Sequence, residues 1–479
     1  MTQQSFASPA APAAPRRPAT ALRRAAGLLL LTVAGTALVV GGWRLAGAAN
    51  AIRIGAVFPI SSNAASLAGP ELAGVQIAVD LVNAEGGIDG RRVQLEVRDL
   101  RSRSEADAVM ADLRASGVEL VIGAYSSDLS IAASEAADRA GLLYWEAGAV
   151  ADRLTGRGLP MVFRVGASGA NLGTNSSRFA AMELSSRLGK AVSELRIALA
   201  VADDEYANGV ADAAESTARE LGMPVTLRRS YNLAVPDFPS VMADLAAARP
   251  DVIMLVSHIP DGIAFRKAML AADLRVGALI GATMAECDPD FAGELGADAI
   301  GIFASDRPTA GFRPEALSPA AADAYARFAA AWARVAAEAG GEGDVAAPGE
   351  GYGDGRGYGD GDSEYEIHGP GEDATAEESE EALSGFTAAW ALLRHVLPRA
   401  AAAGSLDAEA VAAAARVVDL PDGSLPNGAG LRFSSAPATL GQNERAAAVM
   451  WQWTAERTYA FVWPPTYATA DVAFVPLER

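Results

Sequence analysis

Ser126 and Ser127 follow the apolar run Val121-Ile122, after Gly123-Ala124-Tyr125, and stand where an Ala-rich helical stretch begins. Two hydroxyls and the free backbone N–H groups of a helix N-terminus, aided by the helix dipole, can hold a carboxylate. The same serines can also serve only to cap that helix. At a second strand end, Ala147-Gly148-Ala149 has side chains small enough to let a ligand approach the backbone, or simply to make a tight turn. Tyr125 and Trp145 can wall such a site with ring faces, although a tryptophan at a strand end also suits a core. His258 and Asp261, in Ser257-His258-Ile259-Pro260-Asp261-Gly262, directly follow the apolar run 252–256. Ligands of α/β proteins bind at such carboxyl ends, while Asp261 can equally cap the helix running through Phe265 and Met269. These groups suit binding better than turnover. Three histidines (His258, His368, His395) and one cysteine, Cys287, leave little for a metal site or a Cys–His pair. No Gly-x-Ser-x-Gly elbow precedes a suitable helix and no P-loop pattern occurs. The expectation is a protein that is not an enzyme and needs no metal or cofactor.

Regular elements must hold these residues. Residues 52–57 read as a buried strand. A Gly/Ser-rich loop follows, then a helix starting at Pro70 with Leu72, Val75, Val79 and Val82 on one apolar face, then a glycine-stopped turn and a strand at 93–97. That order is a βαβ unit, whose loop at the strand's carboxyl end is a ligand position. Further buried strands are expected at 120–122, 142–144, 197–201, 252–256, 279–280 and 300–303. Short apolar runs separated by helices are what parallel strands covered on both faces look like, so the chain is doubly wound α/β. Its length exceeds a single core and the pattern restarts after Arg164, which predicts two similar lobes.

Arg16, Arg17, Arg23 and Arg24 precede the uncharged stretch 25–43, the plan of a secretory signal or an N-terminal membrane anchor. Ala46, Gly47, Ala48 and Ala49 suit signal peptidase. Either way the remainder is expected to be periplasmic or otherwise extracytoplasmic. A single cysteine excludes an intramolecular disulfide. The 39 basic residues against 59 acidic, a net charge of −20, argue against nucleic acid as a partner. Much of the acidity lies in 340–381, built from Gly, Asp, Glu and the tyrosines Tyr352, Tyr358 and Tyr365, and is expected to be disordered. Asp360, Asp362 and Glu364 alternate as in a calcium loop, but the glycine and closing glutamate of an EF-hand are out of register.

Several phrases then recur in a known order. They are Asn83-Ala84-Glu85-Gly86-Gly87-Ile88-Asp89-Gly90; Val121 to Ser127; Tyr144-Trp145-Glu146-Ala147-Gly148-Ala149; Phe163-Arg164; and Asp203-Asp204-Glu205-Tyr206-Ala207-Asn208-Gly209. Gly281 with Asp288-Pro289-Asp290-Phe291, then Asn427 to Phe433, Gln442-Asn443 and Trp451-Gln452-Trp453, complete the set. Together they resemble the extracytoplasmic solute-binding proteins of the branched-chain amino-acid (Leu/Ile/Val) ABC transporter family. The resemblance implies the type I periplasmic-binding fold, with two doubly wound parallel-sheet lobes joined by a hinge of three crossovers near Gly166, Asp306 and Gly428. The first lobe would then comprise 49–166 and 306–428, including the acidic insertion 340–381. The second would comprise 167–305 and 429–479, with 1–48 as signal peptide or anchor.

It also implies roles. Ser126 and Ser127 would hold a ligand carboxylate, and Ala147, Gly148 and Ala149 would line the site. The hydroxyl residue often found near Ala149 in this family is missing here, which weakens the case for an ordinary α-amino acid. Tyr206 matches a clamp tyrosine that closes over the ligand, or is an exposed aromatic at a helix start. The family commonly has an aromatic residue near His258. Glu286 falls where members place an acid for the ligand ammonium, with Thr283 as the alternative. The implied function is a binding component of an ABC importer that delivers an amino acid, short amide or small carboxylate to a membrane permease. A membrane-tethered ligand-sensing ectodomain is the alternative.

Overall fold

Two parallel β-sheets organise the chain. The computed structural model describes residues 51–62, 64–283, 286, 289–308, 311–341 and 379–477. The apolar stretch 25–43, Cys287, His368 and residues 342–378 of the acidic stretch lie outside the described residues. The first sheet has five strands in the order β2-β1-β3-β4-β5. They are β1 (Ile52–Phe58), β2 (Val93–Asp99), β3 (Leu120–Gly123), β4 (Leu143–Glu146) and β5 (Val162–Arg164). All four pairings are parallel, as apolar runs separated by helices require. The second sheet has seven strands in the order β14-β13-β10-β9-β8-β6-β7. These are β6 (Ile197–Ala202), β7 (Val225–Tyr231), β8 (Val252–Val256), β9 (Ala278–Ala282) and β10 (Phe303–Asp306), with β13 (Val449–Ala455) and β14 (Thr458–Trp463) added antiparallel at one edge. A short antiparallel pair, β11 (Asp419–Leu420) and β12 (Leu431–Arg432), stands apart.

The helix after β1 runs Ala65–Ala84, so it begins before Pro70 rather than at it. Pro70 lies so near the start that its missing donor removes only one intrahelical bond. Leu72 is half-buried, and the covered stripe is Ala68, Glu71, Val75, Ala78, Val79 and Val82, packed on the helix Glu380–Trp390 and on β1. The strand expected at 300–303 begins only at Phe303. Gly301, with φ +91°, breaks the extended backbone ahead of it, while Ser305 and Asp306 carry the strand on as buried polar residues. The apolar run 472–475 forms no strand. Its Ala473 backbone instead bonds the side chain of Gln452 through both its N–H and its C=O. The acidic stretch is ordered at both described ends. Residues 340 and 341 finish the helix Pro319–Gly341, and Ser379 caps the helix that opens with Glu380 and Glu381.

Polar side chains hold the passages between the sheets. Arg164, at the end of β5 and 1% exposed, donates to Gln442 Oε1 at 2.6 Å and to the Ala151 carbonyl at 2.7 Å. Asn443 Nδ2 donates to the carbonyls of Val165 and Gly430. Asn175 Nδ2 reaches Ser305 Oγ at 3.0 Å and the Val449 carbonyl at 2.9 Å. The chain runs from Asn443, whose N–H donates to the Arg164 carbonyl of β5, to Val449 at the start of β13 in the second sheet. One contiguous apolar core extends from one face of the first sheet through the second, and a smaller cluster underlies the first sheet's other face.

Candidate functional site

The carboxyl ends of β1, β3 and β4 gather one set of polar groups. Ser126 is the N-cap of the helix Ser127–Ala140, its hydroxyl accepting from Leu129 N–H at 3.3 Å. Ser127 Oγ accepts from Ala151 N–H at 3.1 Å. Tyr125 has φ +74° and burial pushes its phenol pKa well above the ordinary value, with Glu381, Glu380 and Glu71 adding to the effect. Trp145 is wholly buried and donates to the Ala388 carbonyl at 2.9 Å, so it is core rather than a wall. Gly148 and Ala149 both point their N–H groups at Glu146 Oε1, at 2.9 and 2.8 Å. Ala147 accepts from Ser384 Oγ through its carbonyl.

Sequence reasoning missed four charged residues here. Glu71 and Glu146 are 0% exposed, and neither carboxylate oxygen of Glu71 has a hydrogen-bond partner among the described residues. Gly148 is a glycine because Glu71 leans on it: a Cβ there would stand 2.3 Å from Glu71 Oε2. Arg307, just past β10, donates to the Gly148 carbonyl at 2.9 Å and to Ser384 Oγ at 3.2 Å, and is ion-paired with Glu380. One signal was readable in advance, an acid at position 71 in the otherwise apolar stripe of a helix. Arg307 and Glu380 meet only because distant segments converge.

The carboxyl ends of β6, β8 and β9 gather the other set. Tyr206 is 6% exposed, donates its hydroxyl to the Ala282 carbonyl, and meets the His258 ring edge-on at 5.4 Å. It is thus not an exposed aromatic. His258 begins the helix Ile259–Ala271. Its Nε2 lies 3.0 Å from Asp204 Oδ2, while Nδ1 has no hydrogen-bond partner among the described residues. Burial disfavours its charge, but the bond to Asp204 outweighs that and raises its pKa. Asp261 caps this helix through His258 N–H at 3.0 Å and accepts from Tyr231. Glu286 is 0% exposed; its Oε1 accepts from Ser257 Oγ at 3.1 Å and its Oε2 is unpartnered among the described residues. Burial pushes its pKa up to about 8. Thr283, the alternative to Glu286, is bound through its N–H to the Ser305 carbonyl. Asp288 lies outside the described residues.

The lobes meet beside these ends. Asp152 Oδ1, after β4, accepts from Ala170 N–H at 3.1 Å, and Arg153 pairs with Glu205 at 3.4 Å. What this arrangement can do is hold a small molecule from two sides by hydrogen bonds and charge.

Two parallel-sheet lobes with polar clusters at their facing strand ends define a type I periplasmic-binding fold. Residues 51–347 match the family described as periplasmic binding protein, and the chain belongs to that family. It is 27% identical over 425 residues, 88% of this chain and 93% of the relative, to the Leu/Ile/Val-binding protein homolog 8 of Brucella abortus (strain 2308). A putative branched-chain amino acid ABC transporter protein from Silicibacter pomeroyi has a similar fold, with TM-score 0.65 and 18% identity over 89% of this chain and 99% of that one. So does the branched-chain amino acid transporter substrate binding protein of Streptococcus pneumoniae in complex with isoleucine. There the TM-score is 0.61 and the identity 18%, over 86% of this chain and all of that one. The chain is thus a solute-binding protein of an extracytoplasmic family.

Proposed function

We propose that this chain captures a small polar solute, an amino acid, amide or related compound, between its two lobes and delivers it to an ABC permease in the membrane. One observation carries the reading: on each lobe, a buried side chain at the strand ends keeps hydrogen-bonding capacity that no described residue uses. In the first lobe it is Glu71, and in the second it is His258 Nδ1 with Glu286 Oε2. Buried polar groups are ordinarily satisfied, so those left open at a ligand position are groups awaiting a partner. Tyr206, His258 and Glu286 form the second jaw. Ser126, Ser127 and the Ala147-Gly148-Ala149 turn shape the first, together with Tyr125. Ligand contacts made by both jaws at once favour the closed form, and only that differential affinity shifts the open–closed equilibrium. Export depends on residues 1–48, acting as a cleaved signal or a retained anchor.

The test is a thermal-shift screen of the purified chain against amino acids, short amides, amines and small carboxylates. A binder at a hundred times its Kd stabilises the fold by about 2.7 kcal/mol, a clear shift in Tm. The bound compound should be recovered chemically intact by mass spectrometry. A library without a single stabilising compound, or consumption of more than one equivalent of a binder, would contradict the proposal.

A further inference from the structure

The turn that ends β4 is bonded from far outside its own strand. The Gly148 carbonyl accepts from Arg307 Nη1 at 2.9 Å, those of Ala149 and Ala151 accept from Arg164 Nη1 at 3.3 and 2.7 Å, and that of Val150 accepts from Gly169 N–H at 2.6 Å. Asp152 Oδ1 accepts from Ala170 N–H at 3.1 Å. All these donors stand on passages between the sheets. Gly169 and Ala170 open the helix Gly169–Phe179 on the way from β5 to β6, Arg307 directly follows β10, and Arg164 ends β5 with its Nε on Gln442, just before the run to β13. The same turn carries Ala147, Gly148 and Ala149 of the first jaw, and Ser127 Oγ accepts from its Ala151 N–H at 3.1 Å. Arg307 gathers the most of it. It is 6% exposed, donates also to Ser384 Oγ at 3.2 Å and pairs with Glu380, while Ser384 Oγ donates to the Ala147 carbonyl at 3.0 Å. A planar guanidinium bonded to three acceptors fixes their spacing, and a buried charge-assisted bond costs more to leave unmade than it contributes when made. Gly148 therefore cannot move away from the end of β10 without breaking that set.

We propose that Arg307 is a positioning residue for ligand capture: it holds the Ala147–Gly148 backbone where a solute meets it and ties that backbone to the passage after β10, so that a solute on the turn and the angle between the sheets are coupled. The inference rests on the solute-binding reading above and adds the residue through which the first jaw reaches the hinge. Such coupling is reciprocal. A solute that favours one placing of Gly148 favours the hinge angle that supplies it, and loosening Arg307 weakens both. Lysine at this position keeps the charge that faces Glu380, but as a point donor it cannot hold the Gly148 carbonyl, Ser384 Oγ and Glu380 at once.

The experiment is calorimetry and solution scattering on the purified chain, on Arg307→Lys and on Ser384→Ala, well below the Tm of each. The probe is whichever of leucine, 4-methylpentanoate, agmatine and acetamide binds the unaltered chain tightest, or failing these the tightest compound of the wider screen. Arg307→Lys should weaken the probe by about tenfold or more and show a smaller probe-induced decrease in radius of gyration. Ser384→Ala should shift both in the same direction by less. A purely structural Arg307 would lower Tm and leave the affinity and compaction of the folded chain unchanged, which would overturn the inference. Hydrogen exchange on the unaltered chain keeps the test open even if Arg307→Lys fails to fold. The probe should slow exchange of the Gly169, Ala170 and Arg307 amides together with those of Gly148 and Ala149; protection confined to Gly148 and Ala149, or binding without compaction, would overturn the coupling and leave solute binding intact. Failure of every compound would overturn the solute-binding reading and this inference with it.

Discussion

Glu286 shows what one buried side chain demands of its neighbours. Its Cγ lies where a Cβ on Gly281 would stand, at 2.3 Å, so Gly281→Ala should cost about 1–3 kcal/mol by overpacking, measured by urea unfolding. Burial raises the Glu286 pKa to about 8 from 4.5. The folded chain then keeps a proton that the unfolded chain releases, so this contribution to stability is full below about pH 4.5 and is lost as pH rises to 8. Glu286→Gln should flatten the fall in unfolding free energy between pH 5 and 8, by up to about 1.4 kcal/mol per pH unit. Identical slopes in the two proteins would contradict this. The placing of Tyr206, His258 and Glu286 just past β6, β8 and β9 was legible because each follows a recognisable apolar run. The gathering of Glu71, Glu146 and Arg307 was not, because it is a property of packing between segments far apart in sequence.

At the scale of elements, hydrophobic period identified β6 and β8 almost residue for residue, since short apolar runs covered on both faces have one solution. Ends were harder. The helix Ala65–Ala84 starts five residues before the proline that was expected to open it, and β10 is displaced toward the hinge by Gly301. The acidic stretch 340–381 was expected to be disordered as a whole, yet Ser379 caps the helix Glu380–Trp390 and Glu380 pairs with Arg307. Removing 343–378 behind a short linker should leave Tm within a few degrees, because that composition offers no core to lose. Extending the deletion through Glu381 strips Arg307 of its main partner and should destabilise the fold by about 3–5 kcal/mol, the cost of breaking a buried ion pair. Ser126→Ala should cost about 1 kcal/mol as a lost helix cap, and calorimetry on the variant will show whether ligand affinity falls with it.

For the whole molecule, length and the restart of the strand pattern after Arg164 were enough to read two lobes, while the strapping of their hinge was not. Arg164, Gln442 and Asn443 stand in phrases the sequence singles out, but only in the fold do they and Asn175 bond across the passages between sheets. The half-exposed Arg153–Glu205 pair between the lobes is worth under about 1 kcal/mol, too little to hold them in one arrangement. Closure should therefore be set by ligand, and Tyr206, held between His258 and Ala282, should act in the closed form. Tyr206→Ala is expected to weaken binding mainly through faster release, by tenfold or more in stopped-flow dissociation. The most direct measurement is solution scattering of the chain with and without a saturating amount of the tightest binder. The account predicts a smaller radius of gyration on binding, with the decrease reduced in Tyr206→Ala. Scattering curves that superimpose at saturation would contradict capture between two closing lobes.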